Sequence, residues 1–206
     1  MEPKFIESIT LLFVLLNPFL MSIYLLDLIQ ELSFKHFARV LVRAGLISFT
    51  VFAFLAWAGD ELFTNLLGVR YAAFVLFGGI IFLIIGLRFI FQGSEAIRSL
   101  RGDAKHLSGS IALPFMIGPG TVNASILAGA NLPIFTAILS IFISMILVVL
   151  SLIILKWTLD YINNKNSLLI ERYIDIVGRL SSLLIGTIAI DMCMQAIELW
   201  ISKIKI

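Results

Sequence analysis

Charge and cysteine are what this sequence has least of. Only 14% of its 206 residues are Asp, Glu, Lys or Arg, against roughly 25% in soluble domains. A formal net charge of +2 is too small to mark a nucleic-acid partner, and the basic residues sit beside apolar runs instead of forming a patch. The one cysteine, Cys193, excludes an intrachain disulfide framework and a cysteine metal cluster. The two histidines, His36 and His106, have no ligand-spaced partners, so no metal site is expected. A Gly-x-Ser-x-Gly elbow, a helical histidine pair and a Walker loop are all missing. The minimal parts of an intramembrane hydrolase, a zinc protease or an ATP-driven pump are therefore lacking, and neither an enzyme nor a cofactor is expected.

What is abundant is apolar surface: 60% of the residues are hydrophobic and the mean hydropathy is +1.07. A hydrocarbon core about 30 Å thick takes around 20 apolar helical residues per crossing, so this length has room for about six spans and no sizeable soluble domain. The apolar stretches predict an all-α membrane protein, a single transmembrane domain over 1–206, with spans near 5–29, 40–59, 71–92, 109–130, 134–156 and 176–200. The first run is longer than a signal-peptide core and has no small-residue cleavage site, so it is expected to stay as the first span.

Lys and Arg are divided unequally between the two sides. Eleven of the 15, from Lys35 to Arg179, flank the loops after spans one, three and five; Lys4, Arg70, Lys203 and Lys205 lie on the other side. The positive-inside rule makes the first side cytoplasmic and both termini external, in a cytoplasmic membrane. Ala130-Asn131-Leu132-Pro133 reads as a tight external turn.

Two of the predicted spans are interrupted. Asn17-Pro18 breaks the first and Gly118-Pro119-Gly120 breaks the fourth. Irregular backbone persists in a bilayer only where protein or a wet cavity covers it, and breaks at matching places in two halves point to a transporter's substrate site. Three spans followed by three more, each set opening with a broken span, suggest a duplication of about 1–95 and 106–206. Because three is odd, the second copy is inverted. Gly78-Gly79 and Gly186 agree loosely with such a repeat, although close helix packing explains glycines equally well.

Three stretches carry a family resemblance: Phe13-Val14-Leu15-Leu16-Asn17-Pro18-Phe19, Ala73-Phe74 followed by Gly78-Gly79, and Pro114 followed by Gly118-Pro119-Gly120-Thr121. With these the chain resembles, over essentially its whole length, the MarC family (UPF0056) of bacterial and archaeal membrane proteins, a branch of the LysE-like exporter group. The resemblance implies six helices in inverted repeats, external termini and, for some relatives, transport of small neutral amino acids such as glycine and alanine. The chain departs from the family in lacking a glycine and second proline after Asn17-Pro18, which implies a milder first break. It also carries Asp191 where relatives tend to have a glutamine.

The expected substrate-binding set is Asn17, Pro18, Gly118, Pro119, Gly120, Thr121 and Asn123, with Ser22 more distant. Proline removes an N–H, glycine permits positive φ and close approach of a ligand, and opposed half-helix ends suit the two charges of a zwitterion. The amides can donate and accept; equally, each polar side chain can satisfy backbone groups that the prolines free. Asp191 is the only acid deep in a span, where insertion costs about 2.5–3.5 kcal/mol. It is expected to face the interior as a coupling-ion residue, for a proton or sodium, or to bond Arg88 or Arg179, with Gln195 on the same helical face. Met192, Cys193 and Met194 read as packing or lipid contact. Together these residues predict a gradient-coupled secondary transporter of a small polar substrate in the lipid bilayer. A membrane-embedded accessory or scaffold is the alternative, and the coupling ion, the direction and any homo-oligomer are left open.

Overall fold

The computed structural model describes residues 3–92, 116–163 and 167–202. Helix α1 (Pro3–Leu16) is followed by α2 (Pro18–Tyr24), α3 (Leu26–Glu31), α4 (Phe34–Ala58), a π-helical turn at Leu62–Leu66 and α5 (Tyr71–Gln92). After the segment outside the described residues come α6 (Pro119–Asn131), α7 (Ile134–Asn163) and α8 (Ser167–Ser202). No strand occurs among the described residues.

Five segments are long and apolar enough to cross a membrane: Pro3–Ser22, Phe34–Ala58, Tyr71–Gln92, Ile134–Tyr161 and Ile176–Ser202. The expected fourth span differs. Its first part, 109–115, lies outside the described residues, and its remainder is α6, whose 13 residues rise only about 20 Å. The last two helices also run past their predicted ends, because Lys, Arg and Glu mark the edge of the hydrocarbon without ending a helix. Gly59, at φ 65° and ψ −160°, stops α4 in a positive-φ conformation that glycine takes without penalty. Leu132, in extended conformation, and Pro133 make the expected tight turn between α6 and α7.

Contacts fix the relative directions. Gly45 of α4 meets Met145 and Val149 of α7, and Phe49 meets Phe142, so these helices are antiparallel. Ser144 Oγ donates to the Ile9 carbonyl at 3.2 Å and Lys156 Nζ donates to the Ile29 carbonyl, which sets the first span parallel to α7. Ser48 bonds Met116 and Ala56 abuts Gly129, so α4 is parallel to the chain entering and forming α6. Helices α5 and α8 are antiparallel, with Gly79 against Cys193 and Gly86 against Gly186.

Two large apolar clusters lie in the interior, with a smaller one of Ala128, Leu132 and Ala137 against Phe5. Leu12, Leu16, Met21, Phe52, Met116 and Ile141 belong to one of the large clusters, gathered from α1, α2, α4, α7 and the chain just before α6. Val75, Val122, Ile126, Met192 and Ala196 belong to the other, between α5, α6 and α8. Large apolar side chains such as Trp57, Phe77, Phe91 and Ile154 are exposed on the outer faces, as a lipid-facing surface requires.

The glycines that matter act by absence of volume. A Cβ on Gly129 would lie 1.9 Å from the Ala56 carbonyl oxygen, and one on Gly78 would lie 2.4 Å from Pro119 Cβ; one on Gly186 would meet nothing within 4 Å. Gly129→Ala must push two backbones apart, which costs about 1–3 kcal/mol and should lower the unfolding temperature in detergent. Gly186→Ala should leave it unchanged or raise it.

Candidate functional site

Asn17 breaks the first span by two means. Its φ of 39° is the one positive value at a non-glycine among the described residues, and asparagine is among the few residues that take this conformation readily. Its side chain then caps the next helix, Oδ1 accepting from Leu20 N–H at 3.1 Å, while its carbonyl accepts from Met21 N–H at 2.9 Å. Pro18 sits at the first helical position and has no N–H to give the Val14 carbonyl. Only Asn17 leaves the helical conformation, and Pro3–Ser22 still runs as one membrane-length segment. Asn17 is 7% exposed.

The second break is organised by Thr121. Its hydroxyl oxygen accepts from Gly118 N–H at 3.0 Å and lies 2.9 Å from the carbonyl oxygens of both Met116 and Gly118, one of which takes its proton. Gly118 is extended, with φ −106° and ψ 168°, and Pro119 opens α6. The positive φ expected of these glycines is absent. Gly120 instead provides room: a Cβ there would lie 2.5 Å from a ring atom of Phe82 and 3.2 Å from Leu15 Cδ2. Phe82 of α5 thus covers the break that was expected to present open backbone.

Leu15 against Gly120 brings the two breaks together. The C-terminal end of α1, where Pro18 leaves the Val14 carbonyl without its helical donor, lies beside the N-terminal end of α6. There Val122 N–H is bonded to the Gly118 carbonyl, while the N–H groups of Gly120 and Thr121 bond no described residue. A partial negative and a partial positive helix end meet in a buried place.

About one turn further along α6, a polar cluster joins three helices. Asn123, 5% exposed, receives a hydrogen bond from the Tyr71 hydroxyl on Oδ1 and donates from Nδ2 to Gln195 Oε1 at 3.0 Å. Asn123 was expected at the site; Tyr71 and Phe82 were not. An aromatic residue at the start of a span ordinarily reads as an interfacial anchor, and only the fold turns Tyr71 inward. Ser22 bonds the Phe19 carbonyl at 2.6 Å.

Asp191 does not face the interior. It is exposed on the outer surface of α8 and forms no ion pair with Arg88 or Arg179, and the inward polar residue is Gln195, one turn later. Four residues turn a helix by about 400°, leaving the two side chains about 40° apart. The close packing of Ala189, Met192 and Cys193 on Gly78 and Gly79 sets the edge of the buried face between them. Met194 is exposed, Met192 buried. His36 lies near Ser33 at 3.4 Å, and His106 falls outside the described residues. Among the described residues no three His, Cys, Asp or Glu side chains gather as a metal site.

A family model described as MarC family integral membrane protein matches residues 3–201. The chain belongs to the MarC family. It is 25% identical over 128 residues to a UPF0056 membrane protein from Aquifex aeolicus (strain VF5), a match that covers 57% of this chain and 58% of that relative's length. No solved structure matches. As a MarC-family member it is a multi-pass integral membrane protein, and the broken helices described above lie within the matched region.

The two jobs of Asn17 can be separated. Asn17→Gly keeps the backbone conformation and loses the capping oxygen, which costs a few tenths of a kcal/mol. Asn17→Ala loses both and should cost about 2 kcal/mol more, read as a lower midpoint of thermal unfolding in detergent.

Proposed function

We propose that this MarC-family protein is a gradient-coupled secondary transporter of small neutral amino acids, glycine- or alanine-like, or of a similarly small polar metabolite. The observation that carries the reading is the buried meeting of the C-terminal end of α1 with the N-terminal end of α6. Carbonyls at one end suit an ammonium and free N–H groups at the other suit a carboxylate, so a zwitterion complements the pair. Thr121 and Asn17 hold the two breaks in shape, and Asn123, Gln195 and Tyr71 border the same region. The short spacing between Leu15, Gly120 and Phe82 leaves room for a substrate with little or no side chain only after the Phe82 ring moves.

An inverted repeat is part of the proposal, and the contact pattern supports it. Under exchange of spans one, two and three with four, five and six, the pairing of the first span with α7 corresponds to that of α6 with α4. The pairs α4 with α7 and α5 with α8 map onto themselves. Residues on a pseudo-twofold axis meet their own counterparts, and Gly86 meets Gly186, one hundred positions on. The two break prolines, Pro18 and Pro119, are 101 positions apart. Both termini are proposed to be external, in the cytoplasmic membrane of a bacterium or archaeon.

Alternating access by rocking one repeat against the other must part the contacts between them. Lys156, 2% exposed, makes one such contact: its ammonium donates to the Ile29 carbonyl and lies 2.7 Å from Asp160. The symmetry-related contact, Ala56 on Gly129, is bare backbone packing. The proposed cytoplasmic end of the first span is thus held by a polar latch that water can replace. Its external counterpart is held by close packing alone.

Counterflow of labelled glycine or alanine in proteoliposomes tests the function. Saturable exchange is expected, and Asn123→Leu or Gln195→Leu should slow it at least about tenfold, the equivalent of ~1.4 kcal/mol. Absence of saturable uptake for any small metabolite would refute it. Lys156→Met should raise thiol labelling of a Ser22→Cys reporter from the cytoplasmic side, with Cys193 replaced by Ser; unchanged labelling would remove the latch.

A further inference from the structure

Asp191 is on the wrong side of its helix for a lone subunit. The α8 segment that crosses the membrane is Ile176–Ser202, with residue 189 at its midpoint, so Asp191 lies about 3 Å from the centre of the span. It is exposed there and makes no hydrogen bond or ion pair among the described residues. Around it the outer face of α8 is Leu180, Leu184, Thr187, Met194 and Glu198, all exposed. An acid in this place needs a polar partner at the same depth.

One stripe of that face fits a parallel helix pair. Positions 180, 184, 187, 191, 194, 198 and 201 alternate steps of four and three, the seam that two parallel helices share in left-handed packing. Two copies of one membrane protein insert with the same orientation. A twofold axis between them then runs along the membrane normal, and each residue meets its counterpart at its own depth. A carboxyl group in this setting is self-complementary: when protonated it donates through O–H and accepts through C=O, so two of them close a pair of hydrogen bonds. An unrelated partner would need a polar group matched to the bilayer midplane, which a second copy has by symmetry.

We propose that this protein is a homodimer in the membrane, joined along the outer seam of α8 with Asp191 of each copy hydrogen-bonded to the other near the twofold axis. Thr187, one turn away, lines the same seam, its hydroxyl bonded to the Leu183 carbonyl at 2.9 Å. This seam is separate from the broken-helix site, and the proposal stands whether or not that site transports amino acids.

Disulfide cross-linking in native membranes tests it, with Cys193 replaced by Ser in every variant. Thr187→Cys should cross-link to a dimer under mild oxidation, while Leu150→Cys, exposed near the middle of α7, should not. Adding Asp191→Asn keeps a self-complementary group and should preserve the Thr187→Cys cross-link. Adding Asp191→Leu should reduce it at least about tenfold, with the protein still purified as a monodisperse species because the span has become more apolar. Single-molecule photobleaching of labelled protein in liposomes should change from two steps to one between Asp191→Asn and Asp191→Leu. Failure of Thr187→Cys to cross-link with Asp191 in place, equal cross-linking by Leu150→Cys, or a dimer that survives Asp191→Leu would each overturn the proposal.

Discussion

In a bilayer interior every backbone N–H and C=O must find a partner inside the protein, and the rest of this molecule is arranged around two places where the helical ladder stops. At Asn17-Pro18 and Gly118-Pro119 the freed groups are not left to lipid. Asn17 and Thr121 each return a side-chain oxygen to a backbone N–H. The two interrupted helix ends lie side by side at the contact of Leu15 with Gly120. Met21 and Met116, near the two breaks in sequence, are buried in one apolar cluster with Phe52, and Phe82 lies against Gly118 and Gly120, which keeps lipid away from the second break.

Close packing makes that cover possible. Where hydrocarbon tails are as apolar as the side chains, helices associate through shape and a few polar contacts, and small residues let backbones approach. Gly78 receives Pro119, Gly79 receives Cys193, Gly86 lies on Gly186 and Gly129 on Ala56. The first three contacts draw α5, α6 and α8 together, and between them Asn123 reaches both Tyr71 and Gln195. The polar cluster is thus a consequence of the glycine contacts and not only of the polar residues that compose it.

Much of this was legible in the chain. Apolar runs gave the five long spans, proline and glycine gave the sites of both breaks, and the Ala130–Pro133 turn was read directly. Less could be read where one residue has two uses. Lys156 counted as a marker of orientation, yet its side chain is buried and bound to the Ile29 carbonyl. Tyr71 stood only as the first residue of a span, and the glycines of the second break were expected to supply unusual φ where Gly120 supplies space.

The sequence by itself determined that this is an all-helical membrane protein interrupted at Asn17-Pro18 and Gly118-Pro119, because hydropathy and the missing proline N–H are properties of the residues alone. Only the tertiary structure decided which face of α8 is inside. Asp191 and Gln195 are about 40° apart on that helix, and periodicity cannot separate them. The choice belongs to Gly78 and Gly79, far away in the chain, whose lack of side chains fixes how α8 lies against α5. That one contact turns Gln195 toward Asn123 and leaves Asp191 at the surface.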